Sequence, residues 1–145
     1  ASTTCTVTPE LKTALESFRF AKHGDNMAAL VAKVNRKDYT LVEDETFDSI
    51  TFEDLVEELP DDAPRYPWLV TPLGYYKFEN KGRVSYPLVF VYYCPTSSAP
   101  EARMLYASSQ TAFQNTVGLG KAHELQDKEQ LTEKWLDERL GKVMS

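Results

Sequence analysis

Apolar positions recur at helical spacing in some stretches of this chain and crowd into extended runs in others, and the changes between them mark the elements. Thr8 and Pro9 open a helical stretch. Threonine can accept an N–H at the cap, and proline costs nothing at the first helical position. Leu11, Leu15 and Phe18 then recur at helical spacing with Ala14 between them, and Gly24-Asp25-Asn26 ends the run. Two strands are predicted next, over about 28–34 and 39–47, joined by the polar turn Asn35-Arg36-Lys37-Asp38. Thr51 and Asp54 have capping-box spacing, Leu55 and Leu59 supply an apolar face, and Pro60 stops this short helix.

Residues 66–78 read as a strand broken by Pro67, Pro72 and Gly74. Proline cannot donate to a ladder, so this strand is expected at an edge or with a bulge. Asn80-Lys81-Gly82 carries a hairpin-turn signal. The run 83–94 contains Val84, Tyr86 and the unbroken apolar stretch from Leu88 to Tyr93, which predicts a central strand covered on both faces. Ser98 and Glu101 form a second capping box before a long helix to about Thr116, stopped by Gly118 and Gly120. Residues 121–126 suit a short strand. Asp127 can cap a last helix in which Leu131, Trp135 and Leu140 share a face, ended by Gly141. The order αββαββαβα predicts an α/β protein, a mixed sheet with helices on both faces.

Composition narrows the function classes. The 145 residues, without repeat or linker, are expected to form one domain spanning 1–145. At 42% apolar and 26% charged residues the composition is that of a globular protein. Such a chain needs neither metal nor disulfides to hold its core. With 16 Lys and Arg against 22 Asp and Glu the net charge is -6, which argues against a general binder of nucleic acid or anionic membranes. Cys5 and Cys94, the only cysteines, lie far apart and make no metal-type or redox pair, which fits a reducing compartment. No run of 18 apolar residues suggests a membrane helix, and residues 1–4 lack signal-peptide features. The expected location is cytoplasmic.

Catalytic chemistry finds little to stand on. Cys94 and His123 could form a nucleophile–base pair oriented by Asp127, but Pro95 follows Cys94 and no nucleophile elbow or helix-terminal nest activates it. The ordinary reading is a small hydrophobe at a strand end. Gly118-Leu119-Gly120-Lys121 follows a helix instead of opening one, so a capping role explains both glycines better than phosphate binding. The acidic pairs Glu57/Glu58 and Asp61/Asp62 and the run Glu43-Asp44-Glu45 suit solvated surfaces. The chain is not expected to be an enzyme, and no cofactor or metal is implied.

The long helix is more informative. Leu105, Ala112 and Phe113, with Ser109, can pack on the sheet, whereas Glu101, Met104, Ser108, Thr111 and Asn115 form a second stripe. That stripe lacks the Lys/Glu alternation of a purely solvating face, and an exposed Met beside Ala107 and Ser108 suits a helix laid into a partner's groove. Basic residues cluster at Arg19 and Lys22, where a helix C-terminus favours cations, and at Lys81 and Arg83 in the hairpin. Lys134 and Arg139 are interleaved with Glu133, Asp137 and Glu138, the mixture of an ordinary solvent face.

Four segments resemble the glia maturation factor branch of the ADF/cofilin-homology proteins: residues 58–66, Glu-Leu-Pro-Asp-Asp-Ala-Pro-Arg-Tyr; 82–88, Gly-Arg-Val-Ser-Tyr-Pro-Leu; 104–109, Met-Leu-Tyr-Ala-Ser-Ser; and 131–140, Leu-Thr-Glu-Lys-Trp-Leu-Asp-Glu-Arg-Leu. The likeness runs from the first helix to the last. It implies a five- or six-stranded mixed sheet flanked by two pairs of helices. It further implies a protein that binds the Arp2/3 complex, inhibits nucleation of branches and promotes debranching. The family's Arp2/3-binding surface would map onto Ser2, Thr3, Arg19, Lys22, Arg103, Met104, Ser108 and Thr111. The debranching surface would map onto Lys81, Arg83, Glu133, Lys134 and Asp137, facing the first daughter-filament actin subunit. The implied protein is a monomer of cortical actin networks, with room for a nuclear pool, and binds monomeric actin weakly or not at all.

One departure from the wider family supports that last expectation. ADF/cofilin proteins place several lysines along the long helix, whereas here Glu101, Gln110, Gln114, Asn115 and Thr116 leave Arg103 as its only cation. Losing several charge-assisted contacts of about 1.5–3 kcal/mol each shifts partner choice by orders of magnitude. Two alternatives stand beside this reading. One is an ADF/cofilin-like actin-depolymerising and severing protein, and the other is a small cysteine-dependent hydrolase built on Cys94. The segment 66–78, with Pro67, Pro72, Leu73 and Gly74, looks longer and more broken than is usual in the branch, which bears on the hairpin surface.

Overall fold

Six strands form one mixed sheet, and two helices cover each of its faces. The computed structural model describes residues 5–20, 27–70, 88–117 and 122–139. Along the chain come β1 (Thr6–Val7), α1 (Pro9–Phe20), β2 (Ala28–Asn35), β3 (Thr40–Phe47), α2 (Phe52–Glu58) and β4 (Tyr66–Val70). They are followed by β5 (Leu88–Tyr93), α3 (Pro100–Val117), β6 (Ala122–Leu125), a 3-10 turn (Lys128–Gln130) and α4 (Glu133–Arg139). The strand order is β1-β3-β2-β4-β5-β6, with β1 and β6 running parallel to their neighbours and the other pairs antiparallel.

Alternation along the central strands divides the core in two. Leu30, Trp68, Phe90 and Tyr92 pack with Leu11, Leu15 and Phe18 of α1 and with Tyr106 and Phe113 of α3. Ala29, Val31, Leu69, Val89, Val91 and Tyr93 face the other way, onto Leu55 and Leu59 at α2 and Trp135 and Leu136 of α4. Each strand residue therefore serves one layer only, as a period of two requires. The first layer is aromatic: the Tyr66 ring lies 5.0 Å from Phe113 and 5.1 Å from Tyr106, and Trp68 lies 4.9 Å from Phe113. Such tilted and edge contacts add to burial.

The helix starts follow the expected chemistry in part. Thr8 accepts the Leu11 N–H at 3.1 Å and donates its hydroxyl to the Leu41 carbonyl at 3.1 Å, capping α1 and pinning it to β3. Thr51 accepts the Asp54 N–H at 3.1 Å at the start of α2. Ser98, however, does not cap α3. The first helical bond runs from the Arg103 N–H to the Ala99 carbonyl at 3.0 Å, which makes Ala99 the cap and Pro100 the first helical residue. Proline with its fixed φ suits that position, and it moves the cap one residue past the serine. The Ser98 hydroxyl is buried without a partner, and Glu101 instead pairs with Arg36 at 3.2 Å.

Asp127 also caps something shorter than expected. Its carboxylate accepts the Glu129 N–H at 3.0 Å and starts only the 3-10 turn. A second cap, Thr132, accepts the Trp135 N–H at 3.1 Å and opens α4. Leu131 and Trp135 are buried as the spacing implied, and Leu136 joins them; Leu140 lies outside the described residues.

The placement of β4 corrects the expectation of an edge strand: it lies between β2 and β5. Arg65 and Tyr93 exchange both backbone bonds at 2.9 Å, and Trp68 pairs with Phe90 in the same register. Pro67 therefore falls opposite Val91, where the alternation of an antiparallel ladder calls for an N–H it lacks. The ladder bridges that gap from both sides. The described part of the predicted strand is Tyr66–Val70, and residues 71–78, like the hairpin, lie outside the described residues. β1 is the element the apolar pattern missed, because two residues are too few to show a period.

Candidate partner-binding surface

α3 is held to the sheet by Ala102, Tyr106, Ser109 and Phe113, all buried. The Tyr106 hydroxyl accepts the Val34 N–H at 2.8 Å. Val34 lies beyond the last pair between β2 and β4, Ala32 with Tyr66, so without this phenol its amide would be an orphan. The Tyr66 hydroxyl in turn donates to the Tyr106 carbonyl. Burial pushes the Tyr66 and Tyr106 phenols up, so both remain neutral hydrogen-bonding groups. These bonds fix the rotation of α3 and hence the face it presents.

That face carries Glu101, Met104, Ser108, Thr111 and Asn115, all exposed, with Arg103 and Ala107 beside them. Met104 is 74% exposed, so nothing within the described residues covers it. The stripe read from the spacing is thus a real surface, and it holds the predicted Arg103, Met104, Ser108 and Thr111 together. Met104 forms a crest between two grooves. On one side Met104 and Arg103 border Tyr92, Cys94 and Glu124 at the ends of β5 and β6. Burial first, and Cys94 next, push the Tyr92 phenol up, while Arg103 opposes the shift. On the other side Met104 borders Arg36, Lys37 and Tyr39 of the turn between β2 and β3.

The remaining predicted positions distribute as follows. Arg19 lies in the last turn of α1, though its side chain is not among those described. Ser2, Thr3, Lys22, Lys81 and Arg83 lie outside the described residues. Glu133 and Lys134 are exposed in the first turn of α4, and Asp137 belongs to the same helix, its side chain likewise undescribed. Because α3 and α4 pack on opposite faces of the sheet, the described members of the two predicted sets, Arg103, Met104, Ser108 and Thr111 on α3 and Glu133 and Lys134 on α4, stand apart. Tyr39, which the apolar pattern places only at the start of a strand, also borders the α3 surface.

Cys94 and His123 do not form a dyad. Cys94 packs against the α1/α3 layer. His123 alternates with Ala122, which packs in that same layer, and shares its side of β6 with Leu125, a member of the α2/α4 layer. A sheet lies between thiol and imidazole. Among the described residues no group of three or more His, Cys, Asp or Glu side chains could hold a metal ion.

Likeness to known proteins agrees with this geometry. Residues 4–141 match the family described as cofilin/tropomyosin-type actin-binding protein. Glia maturation factor of Drosophila melanogaster is 37% identical over 136 residues, spanning 94% of this chain and 95% of that one. Human glia maturation factor beta is 38% identical over 139 residues, spanning 94% and 93% respectively. The solution structure of glia maturation factor from Caenorhabditis elegans superposes with a TM-score of 0.80 at 31% identity, covering 96% of this chain and 97% of that one. The crystal structure of Streptomyces griseoflavus cofilin, at 19% identity and a TM-score of 0.74, shares the fold. The chain therefore belongs to the cofilin-type actin-binding family and, within it, to the glia maturation factor branch.

Proposed function

We propose that this protein binds the Arp2/3 complex, inhibits its nucleation of branches and dissociates existing branch junctions, acting as a monomer and without turnover of a substrate. The observation that carries the reading is the exposed face of α3, an exposed methionine among mostly small and neutral side chains with Glu101 and a single cation, Arg103. A helix of that character docks by shape and apolar contact, and it has lost the row of charges that would fit it to an acidic filament. Met104 and its neighbours occupy the groove of an actin-related subunit. Glu133, Lys134 and Asp137, with Lys81 and Arg83, press on the first daughter-filament actin subunit. The protein shifts the complex toward the unbranched arrangement by no more than its difference in affinity for the two.

The experiment follows branched networks by fluorescence microscopy in the presence of the purified protein. Shortened junction lifetimes with unbranched filaments left intact support the reading. The second reading, an ADF/cofilin-like severing protein, has the family's actin-binding character in its favour. It predicts the reverse: fragmentation of unbranched filaments and co-sedimentation with them.

A further inference from the structure

Among the described residues two large apolar side chains are exposed, Met104 at 74% and Tyr39 at 44%. They belong to different elements yet border one groove, together with Arg36, Lys37, Leu105 and Ser108. One exposed apolar residue needs no explanation, but two that share a groove make a patch. Tyr39 also has a φ of 56°, the left-handed region, where a Cβ crowds the following carbonyl and a bulky residue is rarely found. Such a conformation persists only where its surroundings fix it, and strained positions concentrate at binding sites. Here the Tyr39 carbonyl accepts the Thr6 N–H at 3.1 Å, and Asp38 accepts the Thr40 hydroxyl at 2.7 Å. The turn is therefore clamped between β1 and β3, and β1 runs beside α3.

Two cations, Arg36 and Lys37, meet two exposed carboxylates, Asp38 and Glu101, at this corner. In a chain of net charge -6, Arg36 and Lys37 stand adjacent and exposed. Glu101 occupies Arg36 at 3.2 Å, whereas among the described residues no carboxylate pairs with Lys37. Arg103 stands across Met104, bordering the opposite groove. The apolar pair is thus flanked by Arg36 and Lys37 on one side and by Arg103 on the other.

We propose that Tyr39 and Lys37, on the turn between β2 and β3, extend the partner-binding surface of α3, and that the partner presents to them an apolar hollow edged by carboxylates. This rests on the α3 reading given above. Tyr39 fills the hollow beside Met104, and Lys37 meets the carboxylate that Glu101 cannot supply.

The test measures the affinity of the full chain for purified Arp2/3 complex in three variants. Tyr39→Gly suits the turn, since glycine adopts positive φ freely, so its melting temperature should equal or exceed that of the parent. Tyr39→Gly and Lys37→Glu should each weaken binding by about tenfold, the loss expected for a buried anchor or a charge-assisted contact. The third variant, Arg103→Ala with Met104→Ala, reports on α3 alone. If it weakens binding while both turn variants stay within about twofold of the parent, a difference near 0.4 kcal/mol, the turn lies outside the surface and this inference fails while the α3 reading stands. If all three bind like the parent, the α3 reading fails and takes the inference with it.

Discussion

Single hydrogen bonds decide several local outcomes in this molecule. Ser98 and Thr132 look alike in sequence, each a hydroxyl a few residues before a helical run, yet only Thr132 caps. Thr132→Ala should cost about 1 kcal/mol, while Ser98→Ala should stay within about 0.5 kcal/mol, because the Ser98 hydroxyl meets no partner. Urea denaturation of the two variants checks both; equal losses would contradict the assignment of Ala99 as the α3 cap. Tyr106→Phe should cost about 1–3 kcal/mol by leaving the Val34 N–H buried and unpaired. Tyrosines also set the alkaline limit. Burial, with Asp61 and Asp127 after it, pushes the Tyr93 phenol from its ordinary value of 10.0 up to about 12, and Tyr66, Tyr92 and Tyr106 are raised too. Above pH 10 the unfolded chain therefore loses phenolic protons that the folded chain keeps, so stability falls as pH rises. Melting temperature should hold up to about pH 10 and decline beyond it, and Tyr93→Phe should make the decline shallower. A steady melting temperature to pH 12 would sink this.

Among the elements, α3 ties the core to the proposed partner-binding face. Its buried side, Ala102, Tyr106, Ser109 and Phe113, is fixed by aromatic packing and the Tyr106 bonds, so its other side is presented in one orientation. Arg103→Ala with Met104→Ala should then weaken partner binding by about tenfold or more while the melting temperature stays near that of the parent, since both side chains are exposed. A fall in stability that matched the loss of binding would make these residues part of the core. This helix was legible in sequence because eighteen residues show their period clearly. β5 was legible as well, since an unbroken apolar run has to be covered on both faces. β4 was not. Pro67 argues for an edge, and only the register shows that β4 tolerates the missing N–H between two paired stretches. Tyr39 was illegible for a related reason: nothing local marks a tyrosine for positive φ, and the bond that holds its carbonyl comes from Thr6, 33 residues away.

For the whole molecule, the sheet separates two surfaces, α3 on one face and α4 on the other. A protein built so can engage one partner with each face, and the two proposed activities should then separate by mutation. Lys134→Glu, exposed on α4, should leave binding to the Arp2/3 complex within about twofold, under 0.5 kcal/mol, yet slow junction release; a parallel loss of both would merge the surfaces. Charge acts at the same scale. The net charge of -6 opposes non-specific attachment to acidic filaments, so the proposed docking draws its specificity from the α3 face rather than from long-range attraction. The most direct test of the account is to image branched actin networks and unbranched filaments side by side with the purified protein. Junctions should detach sooner while unbranched filaments keep their length. Unchanged junctions together with severed filaments, or tight capture of actin monomers, would contradict it.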